Sequence, residues 1–373
     1  MNRNHQYSRV VVGGGLFGAF SALVLADEGH TVLLVEQASG LLERASAINQ
    51  ARLHTGLHYP RSFLTATESL RMYGAFRERF PSAVRDFQQI YAVASYGSKI
   101  SGEAFGRFIE RLGMPAIEES PERWFKQRVV SRAFRVEEPS FDVATLRHLI
   151  SAEISTRAKV TVRFNESFIR GRFENGGVAV DLGSGDTVST QGLVLCSYAG
   201  INAMRHSLGL GPLPLTYELA EVVLGEATGA LSGYGFTVMD GPFWSLMPFG
   251  HSGKVTLTTV GLTPTIRAGG ALPVFACQKK RLGCTPIELA DCNTCGVRPD
   301  SLAQHHVQQL RHFLRNADDF RVTGSMFTVK TVMSSAEVDD ARPTVILKEA
   351  EVPVWTVFSG KISTVLDLKE GLS

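Results

Sequence analysis

The sequence predicts an α/β chain in which a parallel, helix-covered sheet is joined to a second part built on an antiparallel sheet. Three observations predict it. Residues 8–37 read as strand, glycine turn, helix and strand in immediate succession. A short apolar strand, LVLCSYAG, returns far downstream and turns at Gly200. Between 213 and 263 apolar and polar residues alternate in segments cut by Gly and Pro, the pattern of antiparallel strands.

In the first of these, Val10, Val11 and Val12 form a β-branched run suited to a buried parallel strand. It enters a G-x-G-x-x-G turn at Gly13, Gly15 and Gly18. The helix that follows carries Leu16, Phe20, Leu23 and Val24 on an inward stripe and stops at Gly29; a second strand, Thr31 to Val35, then delivers Glu36. Gly13 permits the tight turn, Gly15 lets backbone approach a pyrophosphate, and Gly18 lets helix pack on strand. A diphosphate would sit at the helix N-terminus, where unpaired N–H groups and the dipole favour anions. Glu36 is spaced to accept from ribose hydroxyls, which disfavours a 2′-phosphate and so NADP.

Bulk properties bound the rest. A length of 373 residues suggests about two domains. A net charge of +2 gives no reason to expect nucleic acid or an anionic membrane as a partner. No apolar run approaches the roughly 18 residues of a membrane span. MNRNHQYS leads straight into the first strand and leaves no room for a signal peptide, so a cytoplasmic location is expected. The five cysteines should then be reduced or metal-bound.

Residues 41–62 are polar, broken by Gly and Pro, and read as a loop beside the cofactor site. They hold Ser46, Asn49, Gln50, Arg52, His54 and His58. The glycine turn, Glu36 and the pattern Ser46, Asn49, His54, Gly56, Tyr59 together resemble the D-amino-acid oxidase superfamily of FAD enzymes, which includes glycine oxidase and hydroxyglutarate dehydrogenase. The resemblance covers mainly the flavin-binding portions. It implies a Rossmann-like FAD domain and a discontinuous antiparallel-sheet substrate domain. Its boundaries would be 1–80, 141–205 and 340–373 for the first, 81–140 and 206–339 for the second. It also implies cofactor contacts from Leu16, Phe17 and Gln37, and from Ser46 through His54 by way of Asn49, Gln50, Arg52 and Leu53.

A helix is expected over 62–80 with Leu64, Leu70, Tyr73 and Phe76 on one face, then a strand over 87–96 and a helix over 102–113. Asp142 should cap a helix bearing Leu146, Leu149, Ile150 and Ile154. A strand at 160–164 and a hairpin around Asn175-Gly176 follow. The resemblance puts backbone near Phe168 at the adenine and closes Ser197 to Gly200 over the cofactor; Cys196 reads as a small core residue. Tyr217, Glu218, Trp244 and Ser245 are candidate pocket-liners, with plain core as the alternative for the aromatics. A helix over 301–314 should turn Leu302, Val307, Leu310 and Leu314 inward and leave His305 and His306 exposed.

One segment has no counterpart in the resembled pattern. Cys277, Cys284, Cys292 and Cys295 are spaced C-x6-C-x7-C-x2-C. The Cys292–Cys295 pair has the spacing with which thiolates chelate one ion, and with four of the five cysteines clustered a tetrahedral zinc site in an excursion of the second domain is expected. An iron–sulfur cluster, disulfides and unliganded thiols are the alternatives.

At the C-terminal end the resemblance implies that Arg342-Pro343 lies by the pocket and that Gly360-Lys361-Ile362 begins a last, short helix. Arg342 would bind a substrate carboxylate through its planar fork, or else form a surface ion pair. His54 has three readings: covalent attachment to the flavin, a base for a substrate proton, or a structural histidine. The function expected is FAD-dependent oxidation of a C–N or C–O bond in a small amine, amino acid or 2-hydroxy acid, by hydride transfer to the flavin, with oxygen, a quinone or a protein as acceptor. The alternatives are an NAD-dependent dehydrogenase, and a noncatalytic flavoprotein whose four-cysteine module docks a partner or senses redox state.

Overall fold

The computed structural model describes residues 6–334 and 344–372. The chain begins with β1 (Arg9–Val12), α1 (Leu16–Asp27) and β2 (Val32–Val35). Val11, Val32 and Leu34 face one apolar core, and Val10, Val12, Leu33 and Val35 face another on the opposite side of the sheet. Burial on both faces explains why these strands read as continuous apolar runs. The helix is more enclosed than a stripe: every α1 residue from Leu16 to Ala26 except Phe17 is buried. It therefore lies inside the domain, with a short helix and the C-terminal turn packed over it.

A long loop leads to α2 (Phe63–Arg79), β3 (Val84–Arg85), β4 (Gln88–Ala94), α3 (Gly102–Leu112), β5 (Ala116–Glu119), β6 (Val130–Glu137) and β7 (Ser140–Phe141). Ser62 caps α2 by accepting from Thr65 N. The buried side of α2 is Ala66, Ser69, Met72 and Phe76, so Leu64, expected inward, instead stands 81% exposed. The helix seats on the face that Ala66, Ser69, Met72 and Phe76 share, and Leu64 lies off that face. Next come α4 (Val143–Thr156), β8 (Val160–Arg163), the meander β9 (Phe168–Glu174), β10 (Gly177–Leu182), β11 (Thr187–Thr190), then β12 (Leu193–Leu195) and α5 (Ile201–Ser207). Asp142 caps α4 through Thr145 N at 2.8 Å. Asn175 and Gly176, with φ of 50° and 77°, make the β9–β10 turn that two left-handed residues favour.

The remaining strands are β13 (Leu215–Ala227), β14 (Tyr234–Met239), β15 (Trp244–Pro248), β16 (Val255–Thr259) and β17 (Pro264–Gly269); after α6 (Ala303–Phe313) come β18 (Phe320–Met333), β19 (Val345–Lys348), β20 (Val354–Phe358) and α7 (Leu368–Gly371). A six-stranded sheet runs β19-β20-β12-β1-β2-β8, parallel except for β19. A nine-stranded sheet runs β17-β13-β16-β15-β14-β4-β6-β5, with β18 also paired to β13. It is antiparallel except where β14 runs parallel to β4. Strands β5, β6 and β18 were not foreseen, and β18 pairs with β13 from Leu215↔Met333 to Ala227↔Phe320. Among the described residues no helix is long and apolar enough to cross a membrane.

His306 corrects another expectation: it is fully buried, with Nδ1 3.0 Å from Thr259 Oγ1, while His305 is exposed. The helix turns a polar ring inward because Thr259 on β16 offers it a partner.

Candidate active site

The turn after β1 is built as its glycines require. Gly13 has φ of +106°, a left-handed conformation that favours glycine. A Cβ on Gly18 would lie 1.7 Å from Gly13 O, so helix and strand meet with no room for a side chain. Glu36, at the end of β2, accepts from Gly14 N through one carboxylate oxygen and from Ala38 N at 2.7 Å through the other. The carboxylate thus fixes the turn as well as facing the space beyond it.

That space is one cavity of about 920 Å³, at the upper end of what small-molecule and cofactor sites occupy. It opens at the C-terminal ends of β1 and β2, where parallel sheets bind ligands. Its walls include Gly13, Gly15, Leu16, Phe17, Glu36 and Gln37. From the loop come Ser46, Asn49, Gln50, Arg52, His54, His58 and Tyr59. Phe168, Ser197, Gly200, Gly360, Lys361 and Ile362 complete that side. The structure therefore brings together nearly every predicted cofactor contact. Two stand apart: Gly18 is packed against the turn, and Leu53 is a core residue held by Leu53 N to Pro139 O at 3.0 Å. Arg342-Pro343 lies outside the described residues.

Several loop residues spend their polar groups on the loop itself. Ser46 Oγ accepts from Leu16 N at 3.0 Å, tying the loop to the first turn of α1. Asn49 donates to Ala45 O and Ser46 O and accepts from Ala51 N, which supports Ala51 at φ of 55°. Gln50 donates to Thr258 Oγ1 across the cavity wall. Arg52 is buried, and its guanidinium goes to Glu138, to Tyr91 Oη at 2.8 Å and to Thr237 Oγ1 at 2.7 Å. This network clamps the loop onto the nine-stranded sheet. The aromatic rings of His54, His58 and Tyr59 lie 5.3–5.8 Å apart, and Lys361 Nζ sits 4.4 Å from the Tyr59 ring centre.

On the opposite wall, Glu218 and Ser245 line the cavity as expected, but Tyr217 and Trp244 do not. Tyr217 is fully buried behind the sheet, its hydroxyl bonded to Asn202 and to Ala271 O. Trp244 packs on Phe313 of α6. Successive residues of a strand face opposite sides, so each pair could contribute one member only. The sequence reading missed Thr258, Arg267, Thr328 and Lys330, which share this wall. Glu218 joins Lys330 at 2.7 Å and Arg267 at 3.1 Å, placing two cations around one buried carboxylate. The alternation in FTVKTVM was the available signal for β18. The closing segment after Gly360 starts as a 3-10 turn, Ile362–Asp367, and becomes α-helical only at α7, so it presents no regular α-helix N-terminus to the cavity.

The four cysteines come near one another but are not arranged as the expected four-thiolate zinc ligands. Among the described residues, no group of three or more His, Cys, Asp or Glu is placed to hold a metal ion, so the zinc expectation finds no support. All five cysteines are free thiols. The cation at the cluster is the chain's own: the Arg281 guanidinium hydrogen-bonds Cys295. Cys196 is the core residue expected, its thiol pushed up to about 12 by burial.

The family model described as "DAO: FAD dependent oxidoreductase" matches residues 9–257, two thirds of the chain. The chain belongs to the DAO family. As a DAO-family member it is an FAD-dependent oxidoreductase, which displaces the NAD-dehydrogenase and noncatalytic alternatives. Among its relatives is "FAD-dependent monooxygenase FPY4" of Fusarium mangiferae, 24% identical over 96% of this chain and 88% of that protein. "FAD-dependent monooxygenase kojA" of Aspergillus flavus is 28% identical over 64% of this chain and 57% of its own. The DAO-family fold is shared with glycine oxidase from Geobacillus kaustophilus (TM-score 0.71, 14% identity, 99% and 93% of the two chains). It is shared equally with FAD-bound L-alpha-glycerophosphate oxidase from Mycoplasma pneumoniae (TM-score 0.71, 12% identity, 98% and 93%). The residues around the cavity fit the cofactor: a Cβ on Gly15 would come within 3.3 Å of Ser46 Oγ, so the backbone surface there stays bare for a diphosphate.

Proposed function

We propose that this protein oxidises a C–N or C–O bond of a small amine, amino acid or 2-hydroxy acid. The observation that carries the reading is the continuity of the cavity, from the glycine turn and Glu36 to the polar wall of Ser245, Thr258, Glu218 and Lys330. One space can hold a dinucleotide and a small polar donor in contact. The FAD, when bound, accepts hydride from a substrate carbon. Gly13, Gly15 and the first N–H groups of α1 would hold its diphosphate, Glu36 its ribose, and Ser197 to Gly200 and Gly360 to Ile362 its flanks. His54 would hold the proton of the substrate amine or hydroxyl, and Arg267, Lys330 and Arg342 would orient a carboxylate. The electron acceptor would be oxygen, a quinone or a protein.

The names of the curated relatives favour a second reading, in which a C–H bond gains an oxygen atom from O2. One experiment separates the two. Candidate donors are added anaerobically to the purified flavoprotein while its visible absorption is followed, air is then admitted, and the products are weighed by mass spectrometry. Bleaching by an amine, amino acid or hydroxy acid, with a product lighter by two hydrogens, is the expected result. Bleaching only by a reduced nicotinamide, with a product heavier by one oxygen, would replace the proposal with the monooxygenase reading.

A further inference from the structure

Cys277, Cys284, Cys292 and Cys295 are gathered around one small cavity, together with Leu219, Arg281 and Arg298. Its volume of about 10 Å³ admits a molecule the size of water and nothing larger. Cys292 and Cys295 form one turn, closed by Cys295 N to Cys292 O at 3.3 Å. Such a turn keeps the outer Cα atoms within about 7 Å, the range a disulfide can bridge. The two thiols are not alike. Burial alone would raise the Cys295 thiol, but the Arg281 hydrogen bond and backbone N–H groups at Val297 and Arg298 hold it below the ordinary value. Burial, and then the neighbouring sulfurs, push Cys292 up to about 12. Cys292 also lines the large cofactor cavity, so its turn is a shared partition.

We propose that Cys292 and Cys295 form a dithiol oxidised to a disulfide by hydrogen peroxide. A void of this size excludes a peptide-sized disulfide, whereas a small diffusible oxidant can meet the turn from its exposed flank at Asn293 and Thr294. The Cys295 thiolate attacks one peroxide oxygen, the O–O bond breaks, and hydroxide leaves with one electron pair, forming a sulfenic acid. The Cys292 thiol then gives up its proton and attacks the Cys295 sulfur. Water leaves and the S–S bond forms. Two thiols and one peroxide become one disulfide and two waters. Arg281 is the positioning residue, favouring the thiolate that reacts.

The disulfide would be felt in the cofactor cavity. Asn293, between the two cysteines, accepts through Oδ1 from Phe327 N of β18 at 3.1 Å, and Leu289 O accepts from Arg44 at 2.8 Å. Both neighbours are next to cavity walls, at Thr328 and at Arg44 itself.

The test titrates the FAD-loaded protein with hydrogen peroxide, alkylates the remaining thiols and maps peptides by mass. Free thiols should fall from five to three, with a Cys292–Cys295 disulfide that dithiothreitol reverses. Cys292→Ser should trap a dimedone-reactive sulfenic acid on Cys295, and Arg281→Met should slow oxidation about tenfold. Cys277→Ser should change neither, and each variant is checked for unaltered flavin content and circular dichroism. A disulfide through Cys277 or Cys284, five thiols that survive excess peroxide, or one zinc ion per chain that protects the thiols until chelated would each overturn the proposal.

Discussion

The two walls of the cofactor cavity are built on different plans. On one side, Gly13, Gly15 and Gly18 act through backbone shape, braced by the Glu36 carboxylate, and all four lie within one short strand–turn–helix–strand segment. On the other, Glu218, Ser245, Thr258, Arg267 and Lys330 come from five strands of one sheet, and each acts through its side chain. The first plan tolerates almost no change at fixed positions. The second depends on which way a strand's residues face, and its chemistry is exchangeable without refolding the sheet.

The sharpest way to break this contrast is Gly18→Ala. Its methyl would meet Gly13 O at 1.7 Å, so the turn must open. The variant should purify with under a tenth of the flavin of the parent and lose on the order of 4 kcal/mol of stability. Full flavin occupancy in the absorption spectrum would show that the turn is softer than its geometry. Next in size is the clamp between the two walls. Arg52→Met leaves Glu138 buried and uncompensated, with an expected cost of roughly 3–5 kcal/mol in a denaturant melt. A loss under 1 kcal/mol would mean that the walls are held together elsewhere.

A paired substitution then tests strand facing directly. Glu218→Gln should raise KM for a carboxylate donor or alter its preference about tenfold, because it loosens Arg267 and Lys330. Tyr217→Phe should leave KM unchanged and cost about 1 kcal/mol of stability, the worth of a buried hydrogen bond. The reverse pattern would put Tyr217 on the cavity. The remaining effect is a pH dependence behind the sheet. Burial holds His306 down at about 4, against an ordinary 6.5. Between those values the unfolded chain binds a proton that the folded chain does not, so stability should fall by up to about 1.4 kcal/mol per unit as pH drops through this window. Substituting His306→Gln should flatten that slope in thermal melts taken across the window.

Local chemistry explains what was legible beforehand. The first strand–turn–helix, the cap at Asp142 and the Asn175-Gly176 hairpin each depend on residues adjacent in sequence, and each was foreseen. The pocket-facing pairs were half foreseen: the segments were right, but alternation alone does not say which set of residues faces a cavity when the other set is equally well buried. Trp244 and Tyr217 are large and partly polar and read as pocket-liners, yet two sequence-distant elements, α6 and the stretch around Asn202, had already claimed them. The cysteine spacing was equally readable, but it does not show that Arg281, between Cys277 and Cys284, stands among the thiols as a cation. A charge supplied from within the loop leaves no trace in the spacing.

The route of the chain between β17 and β18 has a further consequence. It leaves the sheet at Gly269, opposite Thr216, and re-enters at Phe320, opposite Ala227, at the far end of the same strand. At about 3.3 Å per residue the two points lie roughly 36 Å apart. A dozen extended residues would reach across. The connection is several times longer than its span, so the sheet closes without needing the cysteine-bearing stretch, whose excess length is spent instead on walling the cofactor cavity from Ile287 to Cys292.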